Sequence, residues 1–189
     1  MIILHIVGPS FAGKTSYIEK NLPNEIVFDV RKYYEENDDA LAEAQRDYKS
    51  YKRNIQGTIK EYISGVLKTY AKTKTKKFLV IESSGHNKAI NDYIAQFNSF
   101  TILIETPQYV ILELINQYIK DVGTGKQKRL AFDPRKQIET YYKAFSFGNI
   151  TYDVKYFTRL DQYFPAFSIE KARQLLSDKE FTIMAKLFQ

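Results

Sequence analysis

Two rhythms of apolar residues alternate along the chain. A nearly continuous apolar run at 2–7 and apolar-rich stretches at 25–29, 78–81 and 100–105 predict strands, and 153–157 reads as a fifth. Between them, apolar positions return every three or four residues, the spacing of one helix face. Helices are therefore expected from Lys14 to about Asn21, over a long region from about 38 to 70, and at 86–97. Further helices are expected from Pro107 to about Lys120, at 134–145, and at 168–177 and 179–188. The long region carries its stripe at Leu41, Ala44, Tyr48, Tyr51, Ile55, Ile59, Tyr62 and Val66. Strands alternating with helices predict an α/β three-layer sandwich, with about five mostly parallel strands and helices on both faces. No repeat or low-complexity linker divides the chain, so 1–189 reads as a single domain with a helical insert at about 38–70.

In such a sheet, ligands bind beyond the carboxyl ends of the strands. Residues just after Val7, Phe28, Ile81 and Ile104 should then face one shared cleft. The first of these positions opens the most specific motif in the chain. Gly8-Pro9-Ser10-Phe11-Ala12-Gly13-Lys14-Thr15 matches GxxxxGK[ST], placed between an apolar strand and a helix and followed by Ser16. The glycines let the loop curl so that successive N–H groups point at phosphates, and the helix N-terminus adds its positive end. Lys14 suits the β and γ phosphate oxygens, and the Thr15 hydroxyl suits magnesium. A nucleoside triphosphate, as Mg-ATP, is the expected ligand.

Composition narrows the rest. Hydrophobic residues at 44% and charged residues at 26% are globular values. No apolar run reaches the roughly 20 residues of a membrane span and no signal peptide is recognised, so an intracellular protein, cellular or viral, is expected without a membrane partner. With no cysteine there are no disulfides, thiolate sites or cysteine nucleophiles, and His5 and His86 alone cannot build a zinc site. His5, in mid-strand, is expected to be a hydrogen-bonded core residue, while His86 follows the third strand near the cleft. The net charge of +6 suits a polyanionic partner or, equally, a Lys-rich solvated surface.

Three further segments offer parts of a phosphoryl-transfer site. Asp29 ends the second strand, where a carboxylate accepts the proton of an attacking hydroxyl while Arg31 or Lys32 holds the acceptor; the alternative is a simple cap for the next loop. Glu82 ends the third strand beside the P-loop, the Walker B position for magnesium or one of its waters, and Ser83 and Ser84 follow as hydrogen-bonding candidates. The segment 121–135 mixes Gly123 and Gly125 with Lys126, Lys128, Arg129 and Arg135, which fits a lid bringing positive charge over the triphosphate. On the long helix, the aromatic stripe is expected to pack in the core, leaving Lys49, Lys52 and Arg53 toward solvent or ligand.

In this order of parts the chain resembles the P-loop kinases of nucleosides, nucleotides and polynucleotide 5′ ends. Motif by motif it looks most like the kinase domain of bacteriophage-type polynucleotide kinase, over roughly residues 2–145. That resemblance implies Asp29 as base toward a 5′-hydroxyl, Arg129 as the lid arginine on the transferring phosphate, and Arg31 and Lys32 near the acceptor. The stretch from Asp29 to Tyr34 is also similar to the Asp-then-aromatics motif of uridine-kinase-like enzymes. Glu82-Ser83-Ser84 is similar to the Glu-Arg-Ser of deoxynucleoside kinases, but lacks its arginine.

The expected activity is Mg-ATP-dependent transfer of the γ-phosphoryl group to a nucleic-acid 5′-hydroxyl end, with a nucleoside or nucleotide acceptor as the alternative. From other classes, a nucleotide-hydrolysing switch or a nucleic-acid-binding P-loop module remains open. Glu82-Ser83-Ser84-Gly85 imitates the GTPase DxxG, and Asn87-Lys88 imitates the start of NKxD. Ile90 stands where the aspartate of that second motif belongs.

Overall fold

Strand β1 (Ile3–Val7) is buried at all five positions, since a parallel neighbour lies along each edge and helices pack on the sheet. Its neighbours are β3 (Leu79–Ser83) and β4 (Ser99–Glu105); β2 (Ile26–Asp29) pairs with β3, and β5 (Val154–Phe157) with β4, all in parallel. A short antiparallel strand, β6 (Gln162–Phe164), closes that edge, giving the order β2-β3-β1-β4-β5-β6. The structure, a computed structural model, describes residues 3–73, 78–128, 130, 133–164 and 169. The expected C-terminal helices, apart from Ile169, lie outside the described residues, as do Arg129 and part of the basic connector after residue 73.

The chain forms the expected α/β sandwich with a mostly parallel sheet, with one strand more than expected. The sixth strand follows a tight turn at Asp161, whose φ is +51°. Tyr163 on this strand meets Tyr17 hydroxyl to hydroxyl at 2.6 Å and stands 5.1 Å, centroid to centroid, from Tyr156. Connections from β1 run first to β2 and β3 on one side, then cross to β4 on the other. This reversal places a crevice at the carboxyl end of β1, where open α/β sheets bind ligands.

The helical region expected as one unit is two helices with a third before them. After β2, Asp29 Oδ1 accepts the N–H groups of Arg31 at 2.8 Å and Lys32 at 3.1 Å, which starts α2 (Val30–Glu35) directly. Helix α3 (Asp38–Arg46) then stops at Asp47, which is extended and accepts the N–H of Ser50 at 2.8 Å. A new N-cap therefore interrupts the stripe and starts α4 (Tyr48–Thr73). Ile55, Ile59, Ile63, Val66 and Leu67 of α4 are buried in the main core. Helix α5 (Lys88–Ile94) is shorter than expected, because Asn87 caps it through the N–H groups of Ala89 and Ile90. Helices α1 (Lys14–Asn21), α6 (Gln108–Gly123) and α7 (Pro134–Ser146) complete the set. Among the described residues, no helix is long and apolar enough to cross a membrane.

Candidate active site

The P-loop leaves β1 through Gly8, whose φ of +153° only glycine tolerates easily. A Cβ there would lie 2.8 Å from the carbonyl oxygen of Ile104, so the loop passes tightly over the end of β4. Phe11 takes a left-handed φ of +64° and rests its ring 5.6 Å from that of Tyr118 on α6. Gly13 is also left-handed and caps α1 without a side chain. Curling of this kind turns backbone N–H groups to one side of the loop and forms an anion cradle at a helix N-terminus.

Lys14 folds back across the loop, donating to the carbonyls of Gly8 at 3.1 Å and Pro9 at 3.0 Å. Its Nζ lies 3.9 Å from Glu82 Oε1, and the Thr15 hydroxyl donates to the same carboxylate at 3.2 and 3.3 Å. Burial pushes the Lys14 pKa down, while the Glu82 charge holds it up. Burial likewise raises the Glu82 pKa, and Lys14 opposes the shift. Each group is driven toward neutrality by its surroundings and kept charged by the other.

Asp29 and Glu82 are paired residues on adjacent parallel strands, so their carboxylates leave the sheet at the same level. The Asp29 charge reaches both partners, raising the pKa of Lys14 and of Glu82. Asp29 is therefore a helix cap and a cavity residue at once.

These residues line a cavity of about 950 Å³, within the range of small-molecule sites. The P-loop forms one end. The far end is walled by Tyr34, Leu41, Tyr48 and Tyr51, with Gln45, His86 and Asn87 beside them. The Tyr34 and Tyr51 rings stack at 5.8 Å with an interplanar angle of 24°, and Asn87 Nδ2 donates to the Tyr51 hydroxyl. Burial lowers the His86 pKa, and its Nδ1 is buried with no hydrogen-bond partner among the described residues.

Of the residues singled out in the sequence, Lys14, Thr15, Ser16, Asp29, Arg31, Glu82 and Ser83 come together on this cavity with Pro9, Ser10, Phe11 and Gly13. Gly8 and Ala12 are buried behind the loop. Lys32 lies off the lining, exposed and 3.8 Å from Glu36. Ser83 is buried at the strand end, where its hydroxyl accepts the Gly85 N–H at 3.0 Å and meets His5 Nε2 at 2.7 Å. Burial keeps His5 neutral, with its pKa lowered to about 3, as befits a core residue.

Among the described lid residues, Lys126 and Lys128 also lie off the lining, and Arg135 turns to Asn116 at 3.1 Å. Arg129 lies outside the described residues. The Tyr118 hydroxyl accepts from Leu130 N at 2.6 Å and donates to Lys128 O at 3.3 Å, tying this segment to α6.

Helix α7 supplies what the sequence reading passed over. Lys136, Gln137, Thr140 and Tyr141 line the cavity, and Gln137 Oε1 accepts the Ser10 hydroxyl at 2.7 Å. The available signal was the cap Asp133 followed by Pro134 at the start of the helix, which places Arg135 and Lys136 in its first turn.

No family model matches the chain, and no curated protein matches it. Among solved structures, shikimate kinase from Aquifex aeolicus vf5 is similar at 13% identity, with 78% of this chain and 98% of that one covered and a TM-score of 0.34. A de novo designed protein of P-loop NTPase fold is similar at 16% identity, with coverages of 81% and 99% and a TM-score of 0.27. The fold assignment rests on the sheet order and on the loop that leaves β1.

The site suits magnesium chemically. A hydroxyl and a carboxylate converge at Thr15 and Glu82, hard oxygen donors of the kind magnesium takes. Among the described residues there is no cluster of three or more metal-ligating side chains, so phosphate and water oxygens would complete the shell of such an ion.

Proposed function

We propose that the protein is an ATP-dependent phosphotransferase. On this reading it moves the γ-phosphoryl group to a hydroxyl of a nucleoside, a nucleotide or a nucleic-acid 5′ end. The observation that carries this is the convergence of Lys14, Thr15 and Glu82 with Asp29 on one cavity that continues past them into an aromatic-lined space. A hydrolase needs room only for water beyond the phosphate, whereas this cavity extends into a second lobe that fits an organic acceptor.

The P-loop N–H groups and Lys14 hold the β and γ phosphates. Magnesium, held by Thr15 and through Glu82, would neutralise phosphate charge. The acceptor oxygen forms a bond to the γ-phosphorus as the bond from that phosphorus to the β–γ bridging oxygen breaks, and ADP departs. Asp29 takes the hydroxyl proton and passes it to water. Its Oδ1 already accepts two backbone N–H groups, so orientation of the hydroxyl is its larger part, in keeping with the weak base demand of a loose transition state. Lys136 on α7 is a further described cation on the same cavity lining, available to the transferring group.

The test is incubation with magnesium and γ-labelled ATP, together with nucleosides, nucleoside monophosphates and 5′-hydroxyl DNA and RNA oligonucleotides. Label on any of these acceptors supports the proposal. Label released only as free phosphate overturns it in favour of a hydrolytic switch, and no turnover overturns it in favour of a binding module.

A further inference from the structure

Among the described residues, the charge of +6 is not gathered in the cavity. Its described lining holds three cations, Lys14, Arg31 and Lys136, against four carboxylates, Asp29, Asp47, Glu82 and Asp133. Lys14 belongs to the P-loop, and Lys136 stands on α7, beside the residue that bonds the P-loop. That leaves Arg31 as the one other cation on the described lining; its charge reaches Lys14 and Glu82, and it is itself 3.8 Å from Glu35. A phosphorylated strand gains its affinity by neutralising phosphates with several cations. Among the described residues, this lobe does not offer them.

The lobe offers flat apolar surface instead. Tyr48 is 56% exposed, and its ring lies 6.4 Å from Tyr51 at an interplanar angle of 31°. Tyr51 stacks in turn on buried Tyr34, so the wall is backed by a rigid aromatic layer. Polar groups line it as well: the Gln45 amide and the His86 ring, whose pKa burial lowers, favouring its neutral form. Flat aromatic surface with neutral polar groups beside it suits the face and edge of a heterocyclic base.

We infer that the acceptor is an uncharged nucleoside, its base laid on Tyr48 and Tyr51 and its hydroxyl directed at Asp29. This assignment rests on the phosphotransferase function proposed above, and it selects the small acceptor over the nucleic-acid end.

The test is equilibrium binding to the full chain, without ATP, by calorimetry at low and high salt. The probes are the common ribo- and deoxyribonucleosides and a 5′-hydroxyl oligonucleotide. The expected result is nucleoside binding that salt hardly changes, weakened roughly fivefold or more in Tyr48→Ala and restored in Tyr48→Phe. Tyr48 is exposed at the start of α4, so its replacement leaves the core alone. Oligonucleotide binding that falls steeply with salt, without nucleoside binding, overturns the inference. So does nucleoside binding indifferent to Tyr48, or no nucleoside binding by a protein that binds Mg-ATP. Nucleoside binding with the Tyr48 effect but without phosphoryl transfer upholds the ligand and overturns the function, so the two ideas fail separately.

Discussion

At the phosphate end of the cavity, Lys14, Thr15 and Glu82 sit where neighbouring parallel strands end, and their spacing follows from the sheet itself. The acceptor end is assembled differently. Tyr34 comes from α2, Tyr48 and Tyr51 from the start of α4, and His86 from the turn before α5. The first end is fixed by backbone hydrogen bonds and left-handed loop residues, the second by the packing of rings from separate elements. On the proposed function, reaction class would reside in the rigid end, and acceptor choice in the end that side-chain changes can remodel. Asp29 stands at the border, since it ends β2 and begins α2.

That border is the first place to press. Asp29→Asn keeps a side-chain oxygen for the cap on Arg31 and Lys32, because asparagine caps helices about as well as aspartate. Folding should be unchanged by circular dichroism, while transfer falls by about 10²-fold, the low end for a positioned acid or base, because orientation is the larger part of the Asp29 role and asparagine keeps an oxygen for it. Full transfer in Asp29→Asn would show that the carboxylate only caps. Lys14→Ala tests the rigid end alone. Transfer should drop by roughly 10²- to 10³-fold through lost stabilisation of phosphate charge. Nucleoside binding without ATP should persist, and its loss would mean that the two ends are not separable.

The same contrast explains what could be read from the sequence. The central strands β1 and β3, the P-loop and the acidic strand ends were legible because burial throughout a strand leaves a nearly continuous apolar run, and because GxxxxGK[ST] encodes a backbone shape. The helical insert was legible as helix but not as separate pieces. Asp47 falls in line with polar positions of the stripe, and only the extended backbone shows it to be a cap. The aromatic wall was harder still. Tyr48 and Tyr51 match a core stripe in spacing, and nothing local indicates that Tyr48 stays 56% exposed at the mouth of a cavity. Lys136 was missed because the glycines and cations before it drew attention to the lid, whereas the first turn of α7 reaches the cavity. The short strand β6 depends on a turn at Asp161, which has no glycine to mark it.

Gly85 joins the two ends and offers a subtler test of their independence. Its φ is +82°, and a Cβ there would lie 2.8 Å from the Cβ of Val7, at the end of β1. Gly85→Ala should cost about 1–3 kcal/mol in urea unfolding, from backbone strain and the clash. Any displacement is expected to pass to His86 and Asn87, the next residues in the chain, so nucleoside affinity should fall more than Mg-ATP affinity. Equal loss of both would mean that the strand end itself had moved.

The smallest expected effect concerns the bond from Ser10 to Gln137, which joins the P-loop to α7 at 2.7 Å. If this bond holds Lys136 over the phosphates, Ser10→Ala should weaken Mg-ATP binding by about 0.5–1.5 kcal/mol, the net worth of one hydrogen bond, and leave nucleoside binding alone. Gln137→Ala should do the same, and the double variant should add little, because both changes remove one interaction. Additive losses would mean that each side chain meets the nucleotide separately, with α7 held in place by the core contacts of Ile138. In that case the position of Lys136 is a property of the fold, and the rigid end of the cavity extends further than the sheet.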